Sequence, residues 1–211
     1  ENGQLKRASL ELLSTAATFG GEIHVLTFGS LAKNVGSTAG KHGADHVHVF
    51  DSQLFDKYNP ELFGQAFAQL FEELQPLWVF ATTSSMTRDL LPRMASRYEA
   101  GLASDCTGLA LDASTASAKK LMVRKPLLSG KCSAQVEFLT DKQFVIIRPN
   151  QLDVSLSPTP KSGSVKERTL DASGSIPQTL KTVVENVVKG TSGKLDLTEA
   201  NIIVAGGRGL K

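Results

Sequence analysis

Three short apolar runs, Ile23-His24-Val25-Leu26-Thr27-Phe28, His46 to Phe50 and Leu77-Trp78-Val79-Phe80-Ala81, each follow a stretch with helical spacing, and this alternation constrains the fold more than any other feature. Runs this short, rich in β-branched and aromatic residues, read as strands covered on both faces. Strands that alternate with helices join through right-handed crossovers into a parallel, doubly wound sheet. The expected class is α/β.

The helices have their own signals. Leu5, Ala8, Leu12, Ala16 and Phe19 share one face of a helix that Gly20-Gly21 stops. Ser30 precedes a weaker helix, Leu31 to Lys41, which carries Gly36 and Gly40. Asn59-Pro60-Glu61 is a strong helix start: asparagine caps free amides, proline fits the first turn, and glutamate complements the dipole. Leu62, Phe63, Ala66, Phe67, Leu70, Phe71 and Leu74 then form a broad apolar face before Pro76. A fourth helix is expected from Arg88 to Tyr98, with Pro92 in its first turn.

After Gly101 the pattern changes. Leu109 to Leu111, Lys120 to Arg124, Ala134 to Phe138 and Phe144 to Arg148 read as an additional antiparallel section, with Thr140-Asp141-Lys142 as a hairpin turn between the last two. Ser155 to Pro177 reads as exposed chain or linker, Thr182 to Val188 as a further strand. A boundary near Leu195 divides an N-terminal α/β domain with its linker, residues 1–194, from the start of a second domain, residues 195–211.

Composition narrows the function. The 211 residues, 41% hydrophobic and 21% charged, can bury a core and exclude collagenous, disordered and disulfide-scaffold classes. Lys plus Arg 23 against Asp plus Glu 21 gives a net charge of +2 with no basic block, so no nucleic acid is expected as partner. No apolar run reaches the roughly 20 residues that cross a bilayer, and no signal-peptide order opens the chain, so no membrane insertion is expected. Cys106 and Cys132 lack metal or redox spacing and read as small buried hydrophobes in a reducing compartment.

Few residues are candidates for chemistry. His46 and His48 share a strand face, the spacing of a metal pair, but no cysteine or carboxylate in the sequence completes a recognisable set, and no metal is expected. Ser84-Ser85 lacks the surroundings of a hydrolase nucleophile. Thr82 to Thr87 follows a parallel strand where such sheets place ligands, and reads equally as a phosphate loop or a plain helix cap. Asp89 and Arg93 have the spacing of a surface ion pair. Ile202-Ile203-Val204-Ala205 reads as a buried strand entering Gly206-Gly207-Arg208-Gly209, a turn whose glycines admit a ligand and whose arginine suits a pyrophosphate or an aromatic ring system. These make Gly206, Gly207 and Arg208 the cofactor-binding candidates, with no catalytic residue.

Leu5 to Leu13, Asp89-Leu90-Leu91-Pro92-Arg93-Met94-Ala95, Ser104-Asp105-Cys106, Val145-Ile146-Ile147-Arg148-Pro149-Asn150 and Val204-Ala205-Gly206-Gly207-Arg208-Gly209-Leu210 together resemble the α subunit of electron transfer flavoproteins. The resemblance implies a Rossmann-like, adenine-nucleotide hydrolase-like N-terminal domain and a C-terminal domain holding most of an FAD, with Arg208 against the flavin. It implies an electron carrier, not an enzyme with its own substrate. The implied partners are a β subunit that carries AMP, acyl-CoA or other dehydrogenases as donors, as in fatty acid β-oxidation, and a quinone oxidoreductase as acceptor. The implied compartment is bacterial cytoplasm, with the mitochondrial matrix compatible. The rest of the FAD site is expected after Lys211, and an apolar strand before the first helix, so both ends read as cut. Thr87 and Gly130-Lys131 depart from the family pattern. The alternative reading is an adenine-nucleotide-binding module of the hydrolase-like superfamily, with Thr82 to Thr87 holding phosphate.

Overall fold

The computed structural model describes residues 3–112, 120–170, 180–182, 184, 202–207 and 209. Their elements are α1 (Arg7–Ala17), β1 (His24–Phe28), α2 (Gly36–Lys41), β2 (His46–Phe50), α3 (Pro60–Leu74), β3 (Trp78–Thr82) and α4 (Ser85–Arg97). β4 (Gly101–Cys106), β5 (Gly108–Asp112), β6 (Lys120–Leu127), β7 (Cys132–Glu137), β8 (Gln143–Ile147) and β9 (Ser164–Arg168) follow. Two parallel sheets, in the orders β1-β2-β9 and β3-β8-β4, accompany an antiparallel sheet ordered β5-β6-β7. The α/β class and the antiparallel section are as the sequence predicts.

Side-chain alternation explains the layers, because successive residues of a strand face opposite sides. On β8, Phe144 and Ile146 join a core with α3 and α4, whereas Val145 and Ile147 join another with Leu12 and Phe19. On β2, Phe50 faces the α3 core while Val47 and Val49 meet Leu13, Val35 and Ala39 of the α1 and α2 side. Leu26 and Phe28 of β1 and Val79 and Ala81 of β3 pack into the same α3 and α4 core, so that core spans both parallel sheets.

α3 anchors this arrangement. Asn59 Oδ1 accepts from the amides of Glu61 at 2.9 Å and Leu62 at 3.1 Å, and Gln75, left-handed at φ 46°, closes the helix. Phe67 and Phe71 place their rings 5.9 and 5.6 Å from that of Phe144. Burying each such ring stabilises the fold by roughly 1.5–3 kcal/mol.

Several expectations are corrected. β7 does not pair with β8; its partner is β6, through the turn at Leu128–Gly130, and β8 lies between β3 and β4, parallel to both. The reason is burial: Phe144 to Ile147 are all enclosed and need a neighbour on each side, whereas β7 alternates exposed and half-buried positions and serves an edge. Part of the expected linker is β9, an edge strand among the described strands, whose charges Lys166, Glu167 and Arg168 hide its pairing with β2. β4, which the sequence reading passed over, carries Ser104-Asp105 between apolar positions. Pro92 lies inside α4 rather than in its first turn, because the helix begins at Ser85. Cys106 is buried but Cys132 is exposed. β1 is half-buried rather than enclosed, with β2 its one hydrogen-bonded neighbour among the described strands.

Candidate functional site

Gly206 and Gly207 are exposed, and a Cβ placed on Gly207 meets nothing within 4 Å. Ile202, Ile203 and Val204 are 85%, 55% and 95% exposed and form no strand, contrary to the buried strand expected there. A strand needs a paired neighbour, and no described strand pairs with this run. Arg208 lies outside the described residues, as do the boundary near Leu195 and most of the expected strand Thr182 to Val188. At its start, Asn59 Nδ2 donates to the Thr182 carbonyl at 2.7 Å, and the amide of the preceding Lys181 donates to Glu61 at 3.0 Å.

Of the FAD candidates, the described residues include Gly206 and Gly207, both exposed. Two clefts, of about 460 and 410 Å³, lie against Phe28, Gly29 and Ser30 at the end of β1 and against Lys57, Tyr58 and Leu180 beside α3. Neither includes Gly206 or Gly207.

At the end of β3 the loop reading resolves toward capping. The Thr87 amide donates to Ser84 Oγ at 3.1 Å, and the Ser84 amide donates to Thr87 Oγ1 at 2.9 Å, a reciprocal capping box. Thr87 Oγ1 also donates to the Thr82 carbonyl at 2.7 Å, and both the amide and the hydroxyl of Thr83 donate to the Ile147 carbonyl. The Ser84 and Thr87 hydroxyls are engaged in starting α4, and that of Thr83 is engaged on β8. The departure at Thr87 is thus explained locally, because its hydroxyl supplies half the cap.

Three histidines gather where β1 and β2 run side by side. Arg168 Nε donates to His48 Nδ1 at 3.1 Å, and since arginine only donates, the proton of neutral His48 sits on Nε2. That Nε2–H donates to His24 Nδ1 at 2.9 Å, which places the His24 proton on Nε2, 3.4 Å from Glu22. His46 Nε2 lies 2.8 Å from the same carboxylate. The tautomers leave the His24 Nε2 lone pair unavailable to a cation, and among the described residues no group of three or more His, Cys, Asp or Glu is arranged to hold one. Burial, then the neighbouring Arg168, His24 and Lys166, pushes His48 down to about 4; burial also lowers His24. His42 is a buried structural histidine, its Nδ1 within 2.8 Å of the Ser155 carbonyl and 3.2 Å of Ser14 Oγ.

The remaining sequence motifs act as braces. Asp89 accepts from Tyr58 Oη at 2.7 Å and from Arg93 Nε and Nη2 at 3.1 and 3.0 Å, tying the start of α3 to α4. Burial, then the hydrogen bond to Asp89, raises the Tyr58 hydroxyl above its ordinary value, and the same hydrogen bond lowers Asp89. Asp105 and Arg148 tie β4 to the residue after β8. Burial pushes the Cys106 thiol up to about 11, which makes it inert. Sequence reasoning missed Arg168 as a companion of the histidines, because β9 reads as linker and Arg168 lies 120 residues from His48. The alternating charges of Lys166 to Arg168 were the available signal.

A family model described as electron transfer flavoprotein domain matches residues 1–173. The chain is 32% identical over 213 residues to an electron transfer flavoprotein subunit alpha of Bacillus subtilis (strain 168), covering all of this chain and 62% of that protein. It is 29% identical over 211 residues to the subunit alpha of Syntrophomonas wolfei, covering 100% and 63%. A subunit of a lactate dehydrogenase (NAD(+),ferredoxin) of Acetobacterium woodii is 28% identical over 220 residues, covering 99% of this chain and 49% of that one. The chain spans about three fifths of the length of the first two relatives.

Proposed function

Because the chain belongs to the electron transfer flavoprotein family, we propose that it is the N-terminal α/β part of an α subunit whose full-length form carries electrons on FAD. The observation that carries this reading is the family match over residues 1–173, supported by motif residues that brace one α/β frame, Asp89 between α3 and α4 and Asp105 between β4 and β8. In this reading the described residues are scaffold and subunit-docking surface. Gly206, Gly207 and Arg208 belong to the FAD site, whose remainder follows residue 211, and residues 195–211 open the second domain. An FAD would supply the electron-accepting and electron-releasing chemistry; the proposed role of Arg208 is a positive charge toward it, which would raise its potential.

The proposed partner is a β subunit, which carries the AMP. The proposed donors are acyl-CoA or other dehydrogenases and the acceptor a quinone oxidoreductase. Among the described residues no helix is long and apolar enough to cross a membrane. The relative named as part of a lactate dehydrogenase complex extends the class of donor to be tried. Co-expression of full-length α with its β subunit tests the proposal: a one-to-one complex containing FAD that a dehydrogenase reduces is expected, and a flavin-free protein that ignores the β subunit would overturn it.

A further inference from the structure

The histidine cluster forms a directed chain of contacts that crosses the whole β1-β2-β9 sheet. Arg168 Nη2 donates to Glu73 Oε1 of α3 at 2.7 Å while its Nε donates to His48 Nδ1 at 3.1 Å. His48, fully buried, passes the chain to His24 through Nε2, and His24 faces Glu22 at the entrance of β1. Each link fixes the next, because one immovable donor, the guanidinium, sets both tautomers.

Protonation cannot be added without breaking a link. A proton on His48 Nδ1 points an N–H at the N–H of Arg168, and a proton on His24 Nδ1 points an N–H at the Nε2–H of His48. The surroundings sharpen this. Around the two rings stand Lys166 and Arg168 of β9, His46 of β2, Glu22 and Asp45 before β1 and β2, and Glu73 of α3. The acids lie at the ends of the chain, on His46 and Lys161 or on Arg168, and none accepts from His48. β9 is the outermost strand of its sheet among the described strands, exposed over Ser164 to Glu167, with Val165 as its sole large apolar side chain; besides the ladder with β2, Lys33 pairs with its Glu167 and Gly36 packs against Val165.

We propose that Glu22, His24, His48, Arg168 and Glu73 form an acid-sensitive latch that holds β9 on the sheet while both histidines are neutral and releases it when they are protonated. The sign follows from burial and the neighbouring cations. His48 is depressed to about 4 from 6.5, so the closed state is fully favoured above pH 6.5 and loses that advantage as pH falls toward about 4.

The test is side-chain ¹⁵N NMR of the 211-residue chain across this range, with amide exchange read in β9 and, as reference, in β8. The expected result is an Nε2–H tautomer for His48, titration well below 6.5, and β9 exchange that accelerates about tenfold or more beyond its intrinsic pH dependence while β8 stays protected. His48→Gln keeps a donor toward His24 and an acceptor toward Arg168 but takes up no proton, and removes the acceleration. An Nδ1–H tautomer, an ordinary titration, an equal response in β8, or unchanged acceleration in His48→Gln would overturn the latch. If His48→Gln fails to fold, the tautomer and titration of the unaltered chain still decide.

Discussion

The guanidinium of Arg148 donates two hydrogen bonds to the carboxylate of Asp105, from Nε at 2.6 Å and Nη2 at 2.8 Å, across the carboxyl ends of two adjacent strands. Asp105 sits at a left-handed φ of 62°, where the pairing of β4 with β8 shifts register between Ala103 and Cys106. The irregularity swings the carboxylate to meet Arg148, and the Arg148 amide returns a bond to the Cys106 carbonyl at 2.9 Å.

Asp105→Asn and Asp105→Val separate the backbone from the charge. Asparagine tolerates the left-handed region, whereas a β-branched residue there costs roughly 1–2 kcal/mol for the backbone alone. Urea melts are expected to rank the native chain above Asp105→Asn and Asp105→Val last. The pair also gives acid sensitivity: Arg148 holds the Asp105 carboxyl below its ordinary value of 3.8, so its contribution is complete above that value and is lost as pH falls through the lowered one. Asp105→Asn removes that dependence.

Two glycines behave oppositely. A Cβ on Gly40 would lie 2.3 Å from the Lys161 carbonyl oxygen and 2.5 Å from the Gly163 amide nitrogen, both backbone atoms leading into β9. Overpacking there costs about 1–3 kcal/mol and outweighs the gain of about 1 kcal/mol from replacing a helical glycine. Gly40→Ala is therefore expected to lower Tm. On Gly64 the nearest atom is the flexible Met94 methyl at 3.3 Å, so Gly64→Ala is expected to leave Tm unchanged or raise it. Equal responses in thermal melts would contradict the close approach.

The capping box at α4 makes a third prediction. Ser84→Ala removes the acceptor for the Thr87 amide and is expected to cost about 0.5–2 kcal/mol of stability. Calorimetry with AMP or inorganic phosphate is expected to show no saturable binding that depends on Ser84 or Thr87. Binding abolished by Ser84→Ala in a chain that remains folded would restore the nucleotide-module reading.

Much of the α/β frame is legible in the sequence because its signals are local. Asn59-Pro60 caps α3 on the amides beside it, and β2 and β3 announce themselves by composition. The errors arise where pairing decides. Phe144 to Ile147 read correctly as a strand, but its place between β3 and β4 depends on partners 65 and 42 residues away, and the sequence reading pairs it instead with the nearer β7. β9 was hidden because an edge strand needs little apolar character. The candidate site was legible only as a motif: Gly206-Gly207-Arg208 can be named, but a pair of glycines exposed on one side carries no enclosed cofactor site.

The proposed place of Arg208 in the flavin site of a full-length α subunit is tested most directly by the flavin midpoint potential of the α–β complex with and without Arg208→Ala. A lowered potential and faster FAD loss are expected, because a fixed positive charge that favours the reduced, anionic flavin is removed. An unchanged potential together with unchanged FAD retention would contradict the account and take Arg208 out of the site.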